Sequence, residues 1–260
     1  MSHSEKKGGT LYLVPNTLGH TPFNNTIPEH VLEIVRSLQI LIVENIQTAR
    51  KYLQWIGNTV PEYEIIFYEL NRHTQSEDII DYLNPLKDGQ DVGIISEAGC
   101  PGVADPGSIV VKMAHNQGFR VVPLVGPNSI LLALMASGFN GQSFTFWGYL
   151  PISKQDRKKK IKELENISTY QNQTQIFMEA PHRNQELLAD LLQHCDENTY
   201  LCTATDITLP TESIISASVA KWKKMNPLPD LEKRPTIFLL YSANQTRQVK
   251  SKRKKYSKHR

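Results

Sequence analysis

Short apolar segments alternate along this chain with segments of helical periodicity, and this alternation constrains the fold more than any other feature. The apolar run Thr10–Val14 precedes helical spacing over residues 27–37, and the run Val92–Ser96 precedes a predicted helix over Ser108–Gln117. Strands that alternate with helices favour parallel pairing, with the helices packed on the faces of the sheet. The sequence therefore predicts an α/β fold with a mostly parallel sheet.

Further elements follow the same pattern. The other predicted strands are residues 38–43, 65–68, 121–125, 144–147, 175–179, 200–204 and 236–241. The other predicted helices are residues 48–56, 76–86 (with Ser76 as N-cap), 129–136, 157–165 and 184–194.

A length of 260 residues accommodates two domains of ordinary size. The alternation is regular up to about residue 122 and less regular afterwards. We therefore predict an N-terminal α/β domain over residues 8–122, a C-terminal α/β domain over 123–244 and a basic tail over 245–260.

The tail is the most charged part of the chain. Residues 247–260 carry eight Lys and Arg side chains and no acidic one, so the chain's net charge of +3 leaves −5 for the first 246 residues. Such a segment is expected to be disordered and to bind polyanions. The alternative is a solvated tail that serves solubility.

Composition excludes several classes of protein. Apolar residues make up 40% of the chain and charged residues 21%, as in globular proteins, and no apolar run reaches the roughly 18 residues of a membrane span. The polar N-terminus lacks the apolar core of a signal peptide, which favours the cytoplasm. Cys100, Cys195 and Cys202 are too few for a disulfide framework and lack metal-ligand spacing, so no metal is expected.

Residues 96–107 form the segment with the most chemical content. They follow a buried strand and contain three glycines, two prolines and the two acids Glu97 and Asp105. Ligands of open α/β sheets bind beyond the carboxyl ends of strands, and glycines let a backbone approach a ligand closely. We interpret this segment, hereafter the central loop, as a ligand-binding loop rather than a plain connection.

A second candidate lies at Gly126-Pro127-Asn128-Ser129, where the chain turns into a helix. A helix N-terminus offers free N–H groups to a ligand. The alternative is that Ser129 serves only as an N-cap.

These segments and three others carry a family resemblance. They are Gly9–Val14, the central loop, Val121–Phe139, Phe146–Pro151 and Met178–Arg183. In this order they resemble the tetrapyrrole methylase superfamily of S-adenosylmethionine-dependent methyltransferases, and within it the bacterial small-subunit rRNA (cytidine-2′-O)-methyltransferases.

The resemblance implies two α/β domains with S-adenosylmethionine in a cleft between them, and a homodimer. We also expect His182 and Arg183, at the end of a predicted strand, to contact the substrate, because Arg can form paired bonds to a phosphate. Carried over position by position, the resemblance implies a cofactor site made of Leu18, Glu97, Cys100, Ser129, Ile130, Met178 and Thr236.

The chain departs from that pattern in four places. The first loop reads Asn16–His20, the central loop begins Ser96-Glu97-Ala98-Gly99-Cys100-Pro101, and an Arg-bearing motif is replaced by Glu44–Gln47. The fourth departure, at Thr205–Leu209 and Glu212-Ser213, lacks an arginine, a lysine and a glutamate of the rRNA enzymes.

A hydroxyl acceptor must lose a proton during methyl transfer, which a nearby base assists. The candidates are Glu44, His73, Glu179, His182 and Glu212, and their spacing selects none of them.

The leading interpretation is a methyltransferase acting on the ribose 2′-hydroxyl of rRNA, supported by the tail and by the basic segment Lys154–Lys162. The alternatives are a small-molecule methyltransferase, such as one acting on a tetrapyrrole, and a non-catalytic paralogue that binds the cofactor and RNA.

Overall fold

The computed structural model describes residues 8–71 and 74–242. The chain divides into two compact units, residues 1–128 and 129–260. The division falls after Asn128 rather than after residue 122, because residues 120–123 form a strand that pairs within the first sheet. The predicted tail, 245–260, and His73 lie outside the described residues.

The first unit is built on a five-stranded sheet in the order β3-β2-β4-β1-β5, and every neighbouring pair is parallel. Its strands are β1 (Thr10–Val14), β2 (Ile40–Val43), β3 (Ile66–Glu69), β4 (Val92–Ile95) and β5 (Arg120–Pro123). Its helices are α1 (Glu29–Ser37), α2 (Ile46–Trp55), α3 (Ser76–Tyr82), α4 (Asn84–Lys87) and α5 (Ser108–Asn116).

Helices cover both faces of this sheet, as predicted. Successive residues of a strand point to opposite faces, and β2 divides its side chains accordingly between two cores. Leu41 and Val43 pack with α1 and α2, whereas Ile40 and Ile42 pack with α3, α4 and α5. Apolar surface on both faces explains why this strand reads as a continuous apolar run.

The second unit is built on another five-stranded sheet, in the order β6-β7-β10-β8-β9. Its strands are β6 (Phe144–Tyr149), β7 (Thr174–Met178), β8 (Tyr200–Thr205), β9 (Ser213–Ser218) and β10 (Thr236–Tyr241). Its helices are α6 (Ser129–Ser137), α7 (Lys154–Gln171), α8 (Asn184–His194) and α9 (Val219–Trp222).

The expectation of mostly parallel pairing is wrong for this second sheet. Within this sheet, among the residues that the structure describes, the β6–β7 pair is parallel and the other three pairs are antiparallel. The reason is β9, which the sequence analysis missed. It follows β8 after a short loop without a crossover helix, so it returns antiparallel.

The core of the second unit lies between this sheet and the pair α7–α8. Phe177, Phe238 and Leu240 point from the sheet into this core, where Trp222 is fully buried. Helix α6 packs against β8, β9 and β10.

Several helix boundaries differ from prediction for local reasons. The helix predicted over 76–86 is split into α3 and α4, because Pro85 cannot continue a helix. Gln75, not Ser76, holds the N-cap position of α3. Helix α7 extends from Ser153, its N-cap, to the left-handed Asn172, well beyond the predicted 157–165.

Candidate functional site

All five strands of the first sheet are parallel, so the loops that follow β1, β2, β4 and β5 leave from one edge. Asn16, just after β1, joins two of these loops. The Asn16 N–H donates to Gly99 O (2.9 Å), and the Gly99 N–H donates back to Asn16 O (3.2 Å). The side-chain amide of Asn16 also donates to Ser96 O (3.1 Å). The central loop is thereby fixed to the loop after β1 at the position expected for a ligand site.

Asp105 organises the far half of the central loop. Its Oδ1 accepts N–H bonds from Gly102 (3.0 Å) and Gly107 (2.7 Å). Gly107 is needed for packing rather than for ligand approach, because a Cβ there would lie 2.8 Å from Asp105 Oδ1 and from Ile94. Oδ1 of Asp105 is therefore used by the loop itself rather than left for a ligand.

Two predicted cofactor positions of the first unit, Leu18 and Cys100, lie close together around Gly99. Gly99 has φ of +71°, and a Cβ there would lie 3.2 Å from Leu18 Cδ2 and 3.4 Å from Pro127 O. The Cys100 thiol lies 3.4 Å from Pro127 O. Burial raises the pKa of this thiol. The structure thus brings Leu18, Cys100 and residues 126–127 to one place in the first unit.

Glu97, the next predicted cofactor residue, is exposed at the start of the central loop. Its Oε1 accepts a hydrogen bond from the Thr48 hydroxyl (2.6 Å) in the first turn of α2. That turn is fixed by Asn45, whose side chain accepts N–H bonds from Gln47 and Thr48. Helix α2 therefore orients Glu97.

Glu44 follows β2 directly and faces two other acids. Burial, the charge and hydrogen bond of Asp105 and the charge of Glu97 raise the pKa of Glu44 to about 7. Among the residues that the structure describes, no acid, His or Cys cluster fits a metal ion. At neutral pH this carboxyl can both hold and accept a proton.

In the second unit, β7 and β8 end where β10 begins, so the ends of three adjacent strands share one edge. The Thr236 hydroxyl donates to Arg234 O (3.1 Å) and lies 3.1 Å from the Thr205 hydroxyl. Thr236 alternates with Ile237, which is paired with Met178. Thr236 therefore points toward the α7–α8 core face and Met178 toward the opposite face.

Ser129 and Ile130 begin α6, and Ile130 is buried. Because α6 packs on the sheet without contributing to the α7–α8 core, these residues and Met178 belong to the same face of the sheet. Thr236 is the second-unit cofactor candidate whose side chain the fold turns away from the others.

The two predicted substrate residues lie in a 3₁₀ turn, Pro181–Arg183, immediately after β7. His182 is exposed. Arg183 Nη2 donates to Oε1 of Glu179 (2.5 Å), a carboxylate with a fully buried side chain. The N–H of Lys233 donates to Pro181 O (3.0 Å) and fixes the turn to the segment before β10.

A second ion pair holds the loop between β8 and β9. Arg234 contacts the buried Asp206 at 2.8 Å and donates to Thr211 O at 2.7 Å. Asp206 and Thr208 both adopt positive φ, +51° and +73°. Non-glycine residues in this region are strained, and such strain clusters at functional sites.

Among the candidate bases that the structure describes, Glu44 stands next to the central loop, where burial and the neighbouring acids raise its pKa to about 7. Glu179 is held in its ion pair, and Glu212 is exposed and accepts the Thr208 N–H (2.8 Å). The useful sequence signal was position: Glu44 is the first residue after a central parallel strand, where site residues gather.

Comparison with known proteins identifies the family. Residues 25–222 match the Tetrapyrrole (Corrin/Porphyrin) Methylases. The chain belongs to the tetrapyrrole methylase family. The predicted family, and with it the predicted enzyme class of methyltransferase, are confirmed.

Curated members of the family align over most of the chain. The ribosomal RNA small subunit methyltransferase I of Buchnera aphidicola subsp. Schizaphis graminum is 31% identical over 85% of this chain and 75% of its own length. The protein of the same name from Bacillus subtilis is 30% identical over 82% of this chain and 68% of its own length.

Solved tetrapyrrole methylase-fold structures share the architecture. Diphthine synthase superposes with a TM-score of 0.62 and 16% identity, over 90% of each chain. The methyltransferase CobJ superposes with a TM-score of 0.58 and 14% identity, over 90% of this chain and 94% of its own. The predicted α/β fold class is confirmed.

Proposed function

We propose that this protein is an S-adenosylmethionine-dependent methyltransferase that modifies RNA of the small ribosomal subunit, at a ribose 2′-hydroxyl. The observation that carries the proposal is the alignment, at about 30% identity and over most of both chains, with relatives named for methylation of small-subunit rRNA. The central loop supports it, because that loop lies at the strand edge where a ligand is expected.

The residues around Gly99 suit this cofactor. S-adenosylmethionine carries an ammonium group, hydroxyl groups and a flat adenine ring. Carbonyl oxygens of residues 126 and 127, the Glu97 carboxylate and the half-buried Leu18 provide acceptors and an apolar surface. We propose that Leu18, Glu97 and Cys100 hold the cofactor together with Ser129, Ile130 and Met178 of the second unit and with the backbone of Thr236, whose side chain faces the α7–α8 core.

Bound S-adenosylmethionine supplies an activated methyl group, which an in-line nucleophile accepts. The protein must align the acceptor, exclude water and remove the hydroxyl proton. We assign proton removal to Glu44, since its carboxyl stands next to the central loop and its pKa of about 7 leaves an ionised fraction at neutral pH. His182 and Arg183 are the proposed substrate contacts.

The test is methyl transfer from labelled cofactor to purified small ribosomal subunits, to free rRNA and to a tetrapyrrole. A 2′-O-methyl group protects the adjacent phosphodiester from alkali, so mapping alkali-resistant positions identifies ribose methylation. Transfer to the tetrapyrrole but not to RNA would favour the small-molecule alternative. Cofactor and RNA binding without transfer would favour the non-catalytic paralogue.

We also propose a homodimer that works in the cytoplasm, where small ribosomal subunits are found. Helix α6 is apolar around its circumference, and yet Met135 and Leu131 are 78% and 48% exposed. Apolar helix surface of this kind marks an interaction face. Sedimentation velocity of the full chain tests the dimer. Within the described residues, no helix has the length and apolarity to cross a membrane.

A further inference from the structure

The three arginines of the second unit's described residues differ in how many of their nitrogens are bonded. In Arg157 and in Arg234 all three guanidinium nitrogens donate hydrogen bonds to protein oxygens. Arg183 donates from one nitrogen, Nη2, to Glu179 Oε1. Its Nη1 has no partner among the residues that the structure describes. Arg183 is therefore the arginine of this unit with donors left for a ligand.

The ion pair of Arg183 is asymmetric in burial. The Glu179 side chain is fully buried, whereas the Arg183 side chain is 24% exposed. Glu179 Oε1 also accepts the N–H of Ala180 (2.7 Å), which fixes the carboxylate against the backbone. The pair thus anchors a surface guanidinium on an immobile internal carboxylate.

Stability alone does not account for this pair. Glu179 Oε2 and Arg183 Nε are both buried without a hydrogen-bond partner. An unsatisfied buried polar group costs about 1–3 kcal/mol. A bidentate ion pair, in which both carboxylate oxygens accept from the guanidinium, would have satisfied both of these atoms. An arrangement that retains such a penalty is typical of a site shaped for function.

The position of the Glu179–Arg183 pair in the fold indicates what it can bind. Arg183 ends the rigid turn that follows β7, beside the exposed His182. Guanidinium N–H groups match the oxygens of a phosphate, and holding the group in advance reduces the entropy lost on binding. We infer that Glu179 is a positioning residue that holds the Arg183 guanidinium for a backbone phosphate of the RNA substrate. This inference rests on the proposed function.

The test replaces Glu179 by Gln, which keeps an acceptor for the Ala180 N–H and removes the charge that holds Arg183. With small ribosomal subunits as substrate, we expect the KM for RNA to rise about tenfold, the value of one charge-assisted hydrogen bond. We expect kcat to change less than twofold and cofactor affinity to stay unchanged. The log–log salt dependence of RNA affinity should become shallower by about 0.7, one phosphate contact.

Glu186→Gln is the matched control. Glu186 also pairs with an arginine, Arg157, but that arginine is 1% exposed and has all three nitrogens bonded. The control should lose stability without changing the KM or the salt slope. Arg183→Lys, which keeps the charge and loses the planar fork, should give an intermediate KM.

The outcomes separate the inference from the proposed function. A wild-type protein that transfers no methyl group to RNA overturns both. An active wild-type protein, with Glu179→Gln matching Glu186→Gln in KM and salt slope at equal folded fraction, overturns the inference alone.

Discussion

Gly99 and Gly57 have the same backbone conformation in different surroundings. Both have φ of +71°, but a Cβ at Gly57 would meet nothing within 4 Å, whereas at Gly99 it would meet Leu18 and Pro127. Alanine at either position should cost about 1–2 kcal/mol of stability for the left-handed conformation. Only Gly99→Ala should also weaken cofactor binding, because only there does the new methyl group enter the proposed site.

Calorimetric titration of both folded variants with S-adenosylmethionine measures this difference. We expect the Gly57→Ala protein to keep wild-type affinity. Equal affinity of the two variants would contradict a cofactor site at the central loop.

Glu44, at the same edge of the first sheet, should make the stability of the protein depend on pH. Its pKa of about 7 in the folded protein lies above the ordinary value of 4.5. The folded state therefore binds more protons than the unfolded state between those values, and the stability that Glu44 contributes is lost as the pH rises from about 4.5 to 7. Glu44→Gln preserves the neutral form, so its free energy of unfolding relative to wild type should increase across this window.

Urea unfolding at half-unit pH intervals measures the effect. Glu64→Gln, at an exposed position of the same unit, controls for the loss of one acid. Parallel stability profiles for wild type and Glu44→Gln would contradict the carboxyl cluster of Glu44, Asp105 and Glu97.

At the scale of single residues, the sequence does not predict which side chains form ion pairs with each other. The sequence singles out Arg183 by its motif, but the carboxylate partners of Arg157, Arg183 and Arg234 become known only from the fold. Arg157 reads as part of a basic RNA-binding stretch, but it is 1% exposed and pairs with Asp190 at 2.6 Å. Its partner Asp190 lies on another helix, α8. Because the two residues are far apart in the sequence, no local pattern predicts the pair.

At the scale of the element, the loop between β8 and β9 depends on one ion pair. Arg234→Gln should destabilise the protein by about 3 kcal/mol, because it leaves the buried Asp206 without its counter-charge. Arg50→Gln is the matched control. Its pair with Glu62 is exposed on both sides, 52% and 66%, and should contribute less than about 1 kcal/mol.

Chemical denaturation of the two variants compares these losses directly. Adding Asp206→Asn to Arg234→Gln should recover part of the stability, since no uncompensated charge then remains buried. A loss of the same size in both single variants would show that the loop does not depend on the buried pair.

Elements were predictable where local pattern and burial agree. Strands β1 and β10 and helix α8 have the boundaries that the sequence predicts, Thr10–Val14, Thr236–Tyr241 and Asn184–His194. Strand β9 was missed because its sequence, SIISAS, is half polar and mostly partly exposed. The pairing direction of the second sheet depends on β9. Because β9 was missed, the antiparallel pairing could not be inferred from the sequence.

At the scale of the whole molecule, charge is unevenly distributed. Eight of the chain's cationic side chains lie in residues 247–260, outside the described residues, and the rest of the chain has a net charge of −5. The predicted cofactor positions come from the family resemblance, whose motifs fix them along the chain. The contribution of the tail follows from charge alone, since RNA attracts cations without regard to sequence.

Truncation after Gln245 tests that contribution. Each lost phosphate contact should reduce the slope of log affinity against log salt by about 0.7 on single-stranded RNA, so the truncated protein should bind RNA more weakly at low salt and with a flatter salt dependence. Cofactor affinity should not change, because every proposed cofactor residue precedes residue 237. A full-length variant with the tail lysines changed to glutamine separates charge from length. If both variants keep the wild-type salt slope, the tail acts only in solubility, and the RNA contacts must be sought at the strand edge around Arg183.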